Sequence, residues 1–208
     1  MSLIRATLLA SAALCALATP SFAADTTDGF KWENLQIRVR AINVNPDVDS
    51  TVSAGGTVSA STTTVPELDF TYFWTDHIAS ELILATTKHD MDTSAAGSIG
   101  DVWLLPPTLT LQYHFNTREA TFRPYVGAGL NYTFFYNEDP SPVASVNYKN
   151  GMGFALQAGF DYGISKNWAI NFDVKKLFLN TKAVVNGAVN ADVDLDPWIS
   201  GVGLSYRF

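Results

Sequence analysis

The sequence predicts an all-β fold, an eight-stranded antiparallel transmembrane β-barrel with short periplasmic turns and long extracellular loops. Three observations lead to this prediction. Apolar and polar residues alternate in eight segments, the connections alternate between short and long, and aromatic residues on the apolar face gather near the segment ends. Alternation with period two is typical of a strand whose two faces meet different surroundings. The longer segments have roughly ten residues, which suits a tilted strand that crosses a bilayer.

The eight segments follow one another without a repeat or a linker that would divide the chain. They are Leu35–Ala41, Glu67–Trp74, Glu81–Leu84, Thr108–Phe115, Val126–Phe134, Gly153–Tyr162, Trp168–Lys175 and Trp198–Phe208. The short connections are Thr75–His77, Asn116–Thr121 and Ser165–Asn167, and the long ones are Val44–Thr64, Lys88–Pro106, Asn137–Asn150 and Asn180–Pro197. Transmembrane barrels have this asymmetry, and an even number of strands returns both termini to the periplasmic side.

The aromatic residues indicate that the apolar face points outward, toward lipid. A soluble barrel of the lipocalin kind would turn this face inward, but a soluble core has no reason to sort its aromatic residues by height. The belt near the short turns comprises Trp74, Tyr113, Phe115, Tyr162, Trp168, Tyr206 and Phe208, and the belt near the long loops comprises Tyr132, Phe134, Tyr136 and Trp198. Two such belts match the aromatic girdles at the two interfaces of a bilayer.

The end of the chain carries a further membrane signal. The last residue is Phe208, and Tyr206, Leu204 and Val202 precede it at alternating positions. This pattern resembles the C-terminal strand signal of outer-membrane barrels, so we expect the barrel assembly machinery to bind the chain through Phe208. In a soluble protein, an exposed terminal strand of this kind would promote aggregation.

The first residues predict a signal peptide, residues 1–23, followed by the barrel, residues 24–208. A short positive region precedes Leu8–Leu17, an apolar stretch too short to span a bilayer, and Ser21–Ala23 offers small residues for cleavage. The single cysteine, Cys15, lies in this leader. The mature chain is therefore expected to have neither a disulfide nor a thiolate metal site.

Charge and residue spacing argue against two other classes of function. The formal net charge is −7, whereas nucleic acids are bound by clustered Lys and Arg, so no nucleic-acid partner is expected. His89, Asp90 and Ser94 share one long connection, but nothing in the pattern orients a nucleophile against a base. We therefore expect neither an enzyme nor a cofactor.

Candidate metal ligands are present but do not have the spacing of a metal site. Asp192, Asp194 and Asp196 alternate in the last long connection, yet they lack the glycine and the distal glutamate of a calcium loop. The histidines are scattered along the chain, at His77, His89 and His114. No metal site is therefore predicted.

The predicted inward face carries charges of both signs. Eight strands leave an interior only wide enough for side chains or one small ligand, so an open aqueous pore is not expected. The charged residues on this face are Arg38, Arg40, Glu67, Asp69, Glu81, Asp161, Asp173 and Lys175. Because buried charges need partners, they form either a structural network that plugs the barrel or a polar constriction below a ligand-binding funnel.

A double proline marks the start of the fourth segment. Pro106 and Pro107 have no backbone N–H groups, so two donors are missing from the strand ladder. One interpretation is a lateral gate at Leu105, Pro106 and Pro107, where the wall stays open and an apolar solute passes sideways into the membrane. The other is that proline only ends a loop and protects a strand edge.

Two stretches of the chain resemble the OmpW family of small outer-membrane proteins. They are Leu105–Phe115, with the double proline, and Arg123–Tyr132. Arg38–Arg40, Asp161–Tyr162 and the terminal Tyr206–Phe208 are also similar to the family. The resemblance covers essentially the whole mature chain. It implies an eight-stranded barrel in the bacterial outer membrane, with a hydrophobic channel that opens outward.

The resemblance also implies a function, the passage of small, mostly hydrophobic molecules with lateral release into the bilayer near Pro106 and Pro107. Met91, Trp103 and Leu104 are the candidates for contacting an apolar solute as it enters. The alternative is a structural outer-membrane anchor or surface receptor without transport activity. The expected partners are outer-membrane lipids, lipopolysaccharide, the barrel assembly machinery and small hydrophobic solutes.

Overall fold

The computed structural model of the chain describes residues 30–52, 57–94, 97–140, 146–185 and 189–208, so the predicted leader lies outside the described residues. After a 3-10 turn at Trp32–Asn34, all further regular elements in this part of the chain are strands. They are β1 (Leu35–Asn45), β2 (Asp49–Val52), β3 (Val58–Ala60), β4 (Thr63–Phe73), β5 (Ile78–Ala85), β6 (Thr87–Thr93), β7 (Gly97–Leu105), β8 (Thr108–His114), β9 (Phe122–Pro140), β10 (Val146–Tyr148), β11 (Gly151–Gly163), β12 (Trp168–Val185), β13 (Val189–Asp194) and β14 (Trp198–Arg207).

Eight of these strands close into an antiparallel barrel, which confirms the predicted fold class. Around the barrel the order is β1, β4, β5, β8, β9, β11, β12 and β14, and β14 pairs again with β1. Each strand therefore pairs with the barrel strands that precede and follow it in the chain. Closure lets the backbone groups of a strand bond to neighbours on both sides, which an open sheet edge cannot do.

The barrel is polar inside and apolar outside, as the alternating segments predict. Arg38 and Asp69 are opposed on β1 and β4, and both are completely buried. In contrast, Leu111 on β8 and Phe154 on β11 are 60% and 66% exposed. A soluble barrel would have the reverse arrangement, so the outer surface is one that fits lipid.

Aromatic side chains pack against one another along the outer surface near the short turns. Trp168 contacts Tyr206 edge to face with ring centroids 5.0 Å apart, and Tyr206 contacts Phe208 in the same way at 5.1 Å. Tyr113 and Phe115 form a further edge-to-face pair at 5.4 Å. Such pairs are favourable beyond the area they bury, and they form the belt predicted at this end.

The other six strands lie within the connections predicted as long loops and extend the sheet beyond the barrel. On one side, β3 pairs with β6, β6 with β7, and β7 with β9. On the other, β10 and β13 each pair with β12, and β2 pairs with β13. Lys88 and Asp90 on β6 are exposed on the outer face, in contrast to the apolar residues of the barrel wall. The extension therefore lies outside the lipid-facing band. Within the described residues, no helix is long and apolar enough to cross a membrane.

Candidate functional site

Arg38 lies at the centre of an ion-pair network that crosses the barrel interior. Its guanidinium nitrogens lie 2.8 Å from Glu81 Oε1 on β5 and 3.0 Å from Asp161 Oδ2 on β11. Nη1 also donates to the Thr71 hydroxyl at 2.6 Å. Because β5 and β11 lie on different sides of β1 around the barrel, this single side chain joins strands across the lumen.

Arg40 and Lys175 continue the network toward the extracellular end. Arg40 Nε lies 2.7 Å from Glu67, and Nη2 lies 2.8 Å from Asp69. Lys175 Nζ lies 2.8 Å from Asp173 and 3.1 Å from Glu67. The structure thus brings together all eight charged residues that alternation placed on the inward face.

Neutral side chains complete the network, and the sequence analysis did not single them out. Gln157 Nε2 donates to Glu81 at 2.7 Å and to Asp173 at 2.9 Å, and Gln112 Nε2 donates to Glu81 at 2.8 Å. The Tyr125 hydroxyl donates to Asp173 at 2.7 Å. Their inward positions follow from alternation, so a search for hydrogen-bonding residues on the polar face could have found them.

A glycine makes room for this tyrosine. A Cβ atom at Gly159 would lie 2.6 Å from Tyr125 Oη and 2.5 Å from the Phe172 carbonyl oxygen, both shorter than real Cβ contacts. Glycine at this position lets the large ring of Tyr125 fill the lumen beside Asp173. Here the inward glycine accommodates a bulky neighbour.

The network closes the lumen at the height of the barrel where its side chains meet. The side chains of Arg38, Asp69, Glu81 and Asp161 have no solvent-exposed surface. A continuous water channel along the barrel axis would expose them. The charges are also matched by partners, as desolvated ions require. We call this network, with its neutral partners, the plug.

An apolar cavity lies directly above the plug. It encloses roughly 800 Å³, counting space open to solvent, and Glu67 and Lys175 of the plug form part of its lining. Its walls come from two apolar clusters of barrel and extension residues. Their members at the cavity are Ile42, Val44, Leu177, Ile199, Met91, Val102, Leu104, Leu179 and Leu195. The cavity is thus a pocket for an apolar molecule with a charged floor.

The barrel wall beside this cavity has a break. Pairing between β5 and β8 ends at Ile83–Thr108 and resumes between β6 and β7 at Thr87–Leu104, in the same register. Between these rungs, three opposed pairs have no ladder pairing among the described residues: Leu84 with Pro107, Ala85 with Pro106, and Thr86 with Leu105. We call this stretch the wall break. Ala85 and Pro106 line the cavity, so the break lies in the wall of the cavity.

The other edge of the double proline remains attached to the barrel. Tyr132 N donates to the Pro107 carbonyl at 3.1 Å. The side-chain amide of Asn131 donates to the Pro106 carbonyl at 3.2 Å. At the upper end of the break, the Thr86 hydroxyl donates to the Leu104 carbonyl at 3.2 Å. Because the N–H and C=O of a strand residue point to the same side, the donor missing at Pro107 faces β9, and only the donor missing at Pro106 faces β5.

The predicted entry and gate residues divide between the cavity and the outer face of the wall. Met91, Leu104 and Pro106 line the cavity. Trp103 and Leu105 alternate with the cavity-lining residues of β7 and are half-buried on the other face. The Trp103 ring packs near Tyr136, with centroids 6.2 Å apart. Their roles in entry and gating stay predictions.

The acidic residues of the last connection serve local structure where they are described. Asp194 accepts a hydrogen bond from Asn180 Nδ2 at 2.7 Å, and Asp196 accepts one from Leu179 N at 2.9 Å. The side chain of Asp192 lies outside the described residues. In the described part of the chain, no group of three or more His, Cys, Asp or Glu side chains could hold a metal ion.

A closed eight-stranded barrel with an apolar outer surface, aromatic belts and a sealed polar lumen defines a class, the small outer-membrane β-barrel proteins. Comparison with known proteins gives the family. The chain belongs to the OmpW family, whose sequence model matches residues 32–208. The membrane is the bacterial outer membrane, and the barrel sits among its lipids.

Individual relatives agree with this assignment. The chain is 44% identical to the uncharacterized outer-membrane protein y4mB of Sinorhizobium fredii, over 83% of this chain and 79% of that protein. It is 38% identical to outer membrane protein W of Escherichia coli, over 77% of this chain and 84% of that protein. The crystal structure of OprG from Pseudomonas aeruginosa superimposes with a TM-score of 0.79 at 30% identity and covers 84% of this chain and 95% of OprG. All three are outer-membrane proteins, and the barrel proteins of this family are not enzymes.

Proposed function

We propose that this barrel is an outer-membrane channel for small, mostly hydrophobic molecules, which leave sideways into the bilayer through the wall break. The observation that carries the proposal is the position of the apolar cavity. It lies above a sealed plug and beside three unpaired rungs of the wall. Leu105, Pro106 and Pro107 form one edge of the lateral gate.

A molecule in the cavity has two routes out, downward through the plug or sideways through the wall break. Passage downward would carry an apolar molecule through the buried charges around Arg40, and it would separate ions that desolvation makes dependent on one another. Passage sideways crosses no backbone hydrogen bonds at Ala85 and Pro106 and leads from one apolar environment to another. The lateral route therefore costs much less free energy.

Entry and assembly complete the proposal. Met91 and Leu104 are cavity-lining residues of the extension, where a solute from outside would first contact apolar surface. Acidic residues of the outer connections bind lipopolysaccharide through bridging cations, and Phe208 is the residue that the barrel assembly machinery recognises. The leader, residues 1–23, directs export and is removed.

Restoring the missing donors tests the channel. In the double variant Pro106→Thr/Pro107→Thr, the N–H at position 106 becomes available to a carbonyl of β5, and the N–H at position 107 faces β9. One new hydrogen bond to β5 stabilises the closed wall by about 1 kcal/mol, so naphthalene entry should fall about fivefold. Entry is measured in vesicles with lipopolysaccharide in the outer leaflet, as quenching of naphthalene fluorescence by iodide trapped inside.

The matched control is Pro124→Thr, since Pro124 lies in β9 opposite Phe160, away from the wall break. Entry through this variant should equal that of the unaltered protein. A structural anchor or receptor makes a different prediction. If vesicles with the unaltered protein take up naphthalene no faster than protein-free vesicles, the channel proposal is wrong.

A further inference from the structure

His89 places a polar ring in the wall of the apolar cavity. The residue lies on β6, is only 4% exposed and lines the cavity. Its Nδ1 lies 2.6 Å from the Ser61 carbonyl oxygen. Since a carbonyl oxygen only accepts, Nδ1 carries the hydrogen and donates. In a neutral imidazole, Nε2 is then a hydrogen-bond acceptor.

The ring is neutral under ordinary conditions. Burial lowers the pKa of His89 below its usual value of 6.5, against smaller opposing effects of the Ser61 hydrogen bond and the Asp90 carboxylate. At neutral pH the cavity wall therefore presents an uncharged acceptor, and not a cation.

Most other polar side chains of the cavity already form hydrogen bonds or ion pairs within the protein. Glu67 and Lys175 pair with each other at 3.1 Å. The Thr108 hydroxyl donates to the Pro106 carbonyl at 3.0 Å, and the Thr133 hydroxyl donates to Asn131 at 2.8 Å. These groups contribute little hydrogen-bonding capacity to a molecule in the cavity.

His89 Nε2 and the Thr87 hydroxyl are different. Both residues line the cavity, and among the described residues His89 is hydrogen-bonded through Nδ1 and the Thr87 hydroxyl has no recorded hydrogen bond. The two side chains are two residues apart on β6 and therefore share the cavity face of the strand. Thr87 is also the first residue above the wall break, where pairing with Leu104 resumes. An acceptor and a hydroxyl thus lie together beside the proposed exit.

We propose that Thr87 and His89 bind the hydroxyl head of a small neutral amphiphile, such as an aliphatic alcohol, whose apolar tail occupies the cavity. A hydroxyl both donates and accepts. It can donate to His89 Nε2 and accept from the Thr87 hydroxyl. An alkane leaves both groups unpaired, and a carboxylate offers only acceptors to a neutral ring. This inference rests on the proposed channel and names its preferred class of cargo.

The test compares 1-octanol with n-octane, which share the chain length and differ in the head. Affinities are measured by NMR titration of the full mature chain in lipid nanodiscs. Partitioning into lipid is the same for all variants, so it cancels when they are compared. A site built for a hydroxyl discriminates against the analogue that lacks it, and one such hydrogen bond corresponds to about tenfold in affinity. We expect the octanol-to-octane affinity ratio of the unaltered protein to exceed the ratio for lipid partitioning by about this factor.

Two variants remove the head-group contacts separately. His89→Asn keeps a donor for the Ser61 carbonyl and removes the Nε2 acceptor, while Thr87→Val removes the hydroxyl at nearly constant volume. Each should bring the octanol-to-octane affinity ratio close to that of lipid partitioning alone. Because the two variants alter different side chains, misfolding of one leaves the other as the test.

The controls use the same substitutions away from the cavity. His77 Nδ1 also faces a carbonyl oxygen, that of His114 at 2.8 Å, but in a short turn between barrel strands, so His77→Asn is the match for His89→Asn. Thr64→Val removes an exposed hydroxyl that accepts from Asn43. Both controls should keep the ratio of the unaltered protein.

The outcomes separate this inference from the channel itself. If both ligands bind but the octanol-to-octane ratio of the unaltered protein equals that of lipid partitioning and is the same in His89→Asn and Thr87→Val, the head-group site is wrong and the channel stands. If neither ligand binds to the unaltered protein, the proposed channel fails, and this inference fails with it.

Discussion

Arg40 is the residue on which the plug depends most, because it lies within ion-pair distance of four carboxylates. These are Glu67, Asp69, Glu81 and Asp173, and the distances range from 2.7 to 3.5 Å. Arg38 and Lys175 approach the same carboxylates from either side. Because these side chains are almost completely buried, each charge is compensated mainly by the others.

Removing the Arg40 charge should therefore destabilise the barrel strongly. Arg40→Met keeps much of the side-chain volume but leaves buried carboxylates without their main partner, at a cost of about 3 to 5 kcal/mol. Lys88→Ala is the control. Lys88 pairs with Asp101 at 2.8 Å on the partly exposed outer surface, and its loss should cost less than about 1 kcal/mol. Urea unfolding in lipid vesicles measures both, and equal effects would contradict a buried network.

The ring of His89 should titrate below pH 6.5, because burial lowers its pKa. This lowered pKa makes the stability of the folded protein depend on pH. The unfolded chain takes up the proton first as pH falls, so His89 contributes full stability above 6.5 and loses it as pH drops through the folded pKa. ¹⁵N NMR of labelled histidine reads the midpoint and the Nδ1–H tautomer. A midpoint at or above 6.5 would contradict the buried, neutral ring.

Single residues show what alternation can and cannot predict. The orientation of Arg38, Asp161 and the other charged residues toward the lumen could be predicted, since a period of two assigns each residue to one face of its strand. Their partners could not, because Arg38 and Asp161 are 123 positions apart and meet across the lumen. Tyr125 was missed because an aromatic residue on a polar face has no distinctive pattern. The Tyr125 ring fits in the lumen because Gly159 has no side chain.

At the level of strands, the barrel segments were predictable and the extension was not. Every barrel strand has lipid on one side, so apolar residues recur at every second position. In β6 the outward residues Lys88 and Asp90 are polar, but so are the inward residues Thr87 and His89. Strands without an apolar face give no period-two signal, so the alternation pattern predicts loops for these stretches.

The wall break is a property of two strand ends and not of the prolines alone. The double proline predicted lost donors, but not that the ladder would resume in register at Thr87–Leu104. Because the register is unchanged, the break is a local separation of the strands and not a slip. A local separation can close by forming the missing rungs, which is why a restored N–H group at position 106 should reduce naphthalene entry.

The whole molecule combines an outer surface for lipid with an interior that blocks water. Trp74 is 64% exposed and Trp168 is 47% exposed on the apolar outer surface. In single-tryptophan variants that keep Trp74 or Trp168, brominated lipid should quench the fluorescence, most strongly with bromines near the headgroups. Absence of quenching would show that these residues do not contact lipid.

The central claim is that cargo leaves through the wall break, and a reversible crosslink tests it most directly. Leu84 and Pro107 form the first unpaired rung, so Leu84→Cys/Pro107→Cys places two thiols across it. Cys15, in the predicted leader, is the chain's own single cysteine. The matched control is Leu82→Cys/Leu109→Cys, across a rung that is already paired.

Naphthalene entry is measured in the vesicle assay for each protein before oxidation, after disulfide formation and after reduction. Oxidation should slow entry through Leu84→Cys/Pro107→Cys, reduction should restore it, and the control should not change in either state. If a complete disulfide between positions 84 and 107 leaves entry unchanged, the cargo does not leave through the wall break.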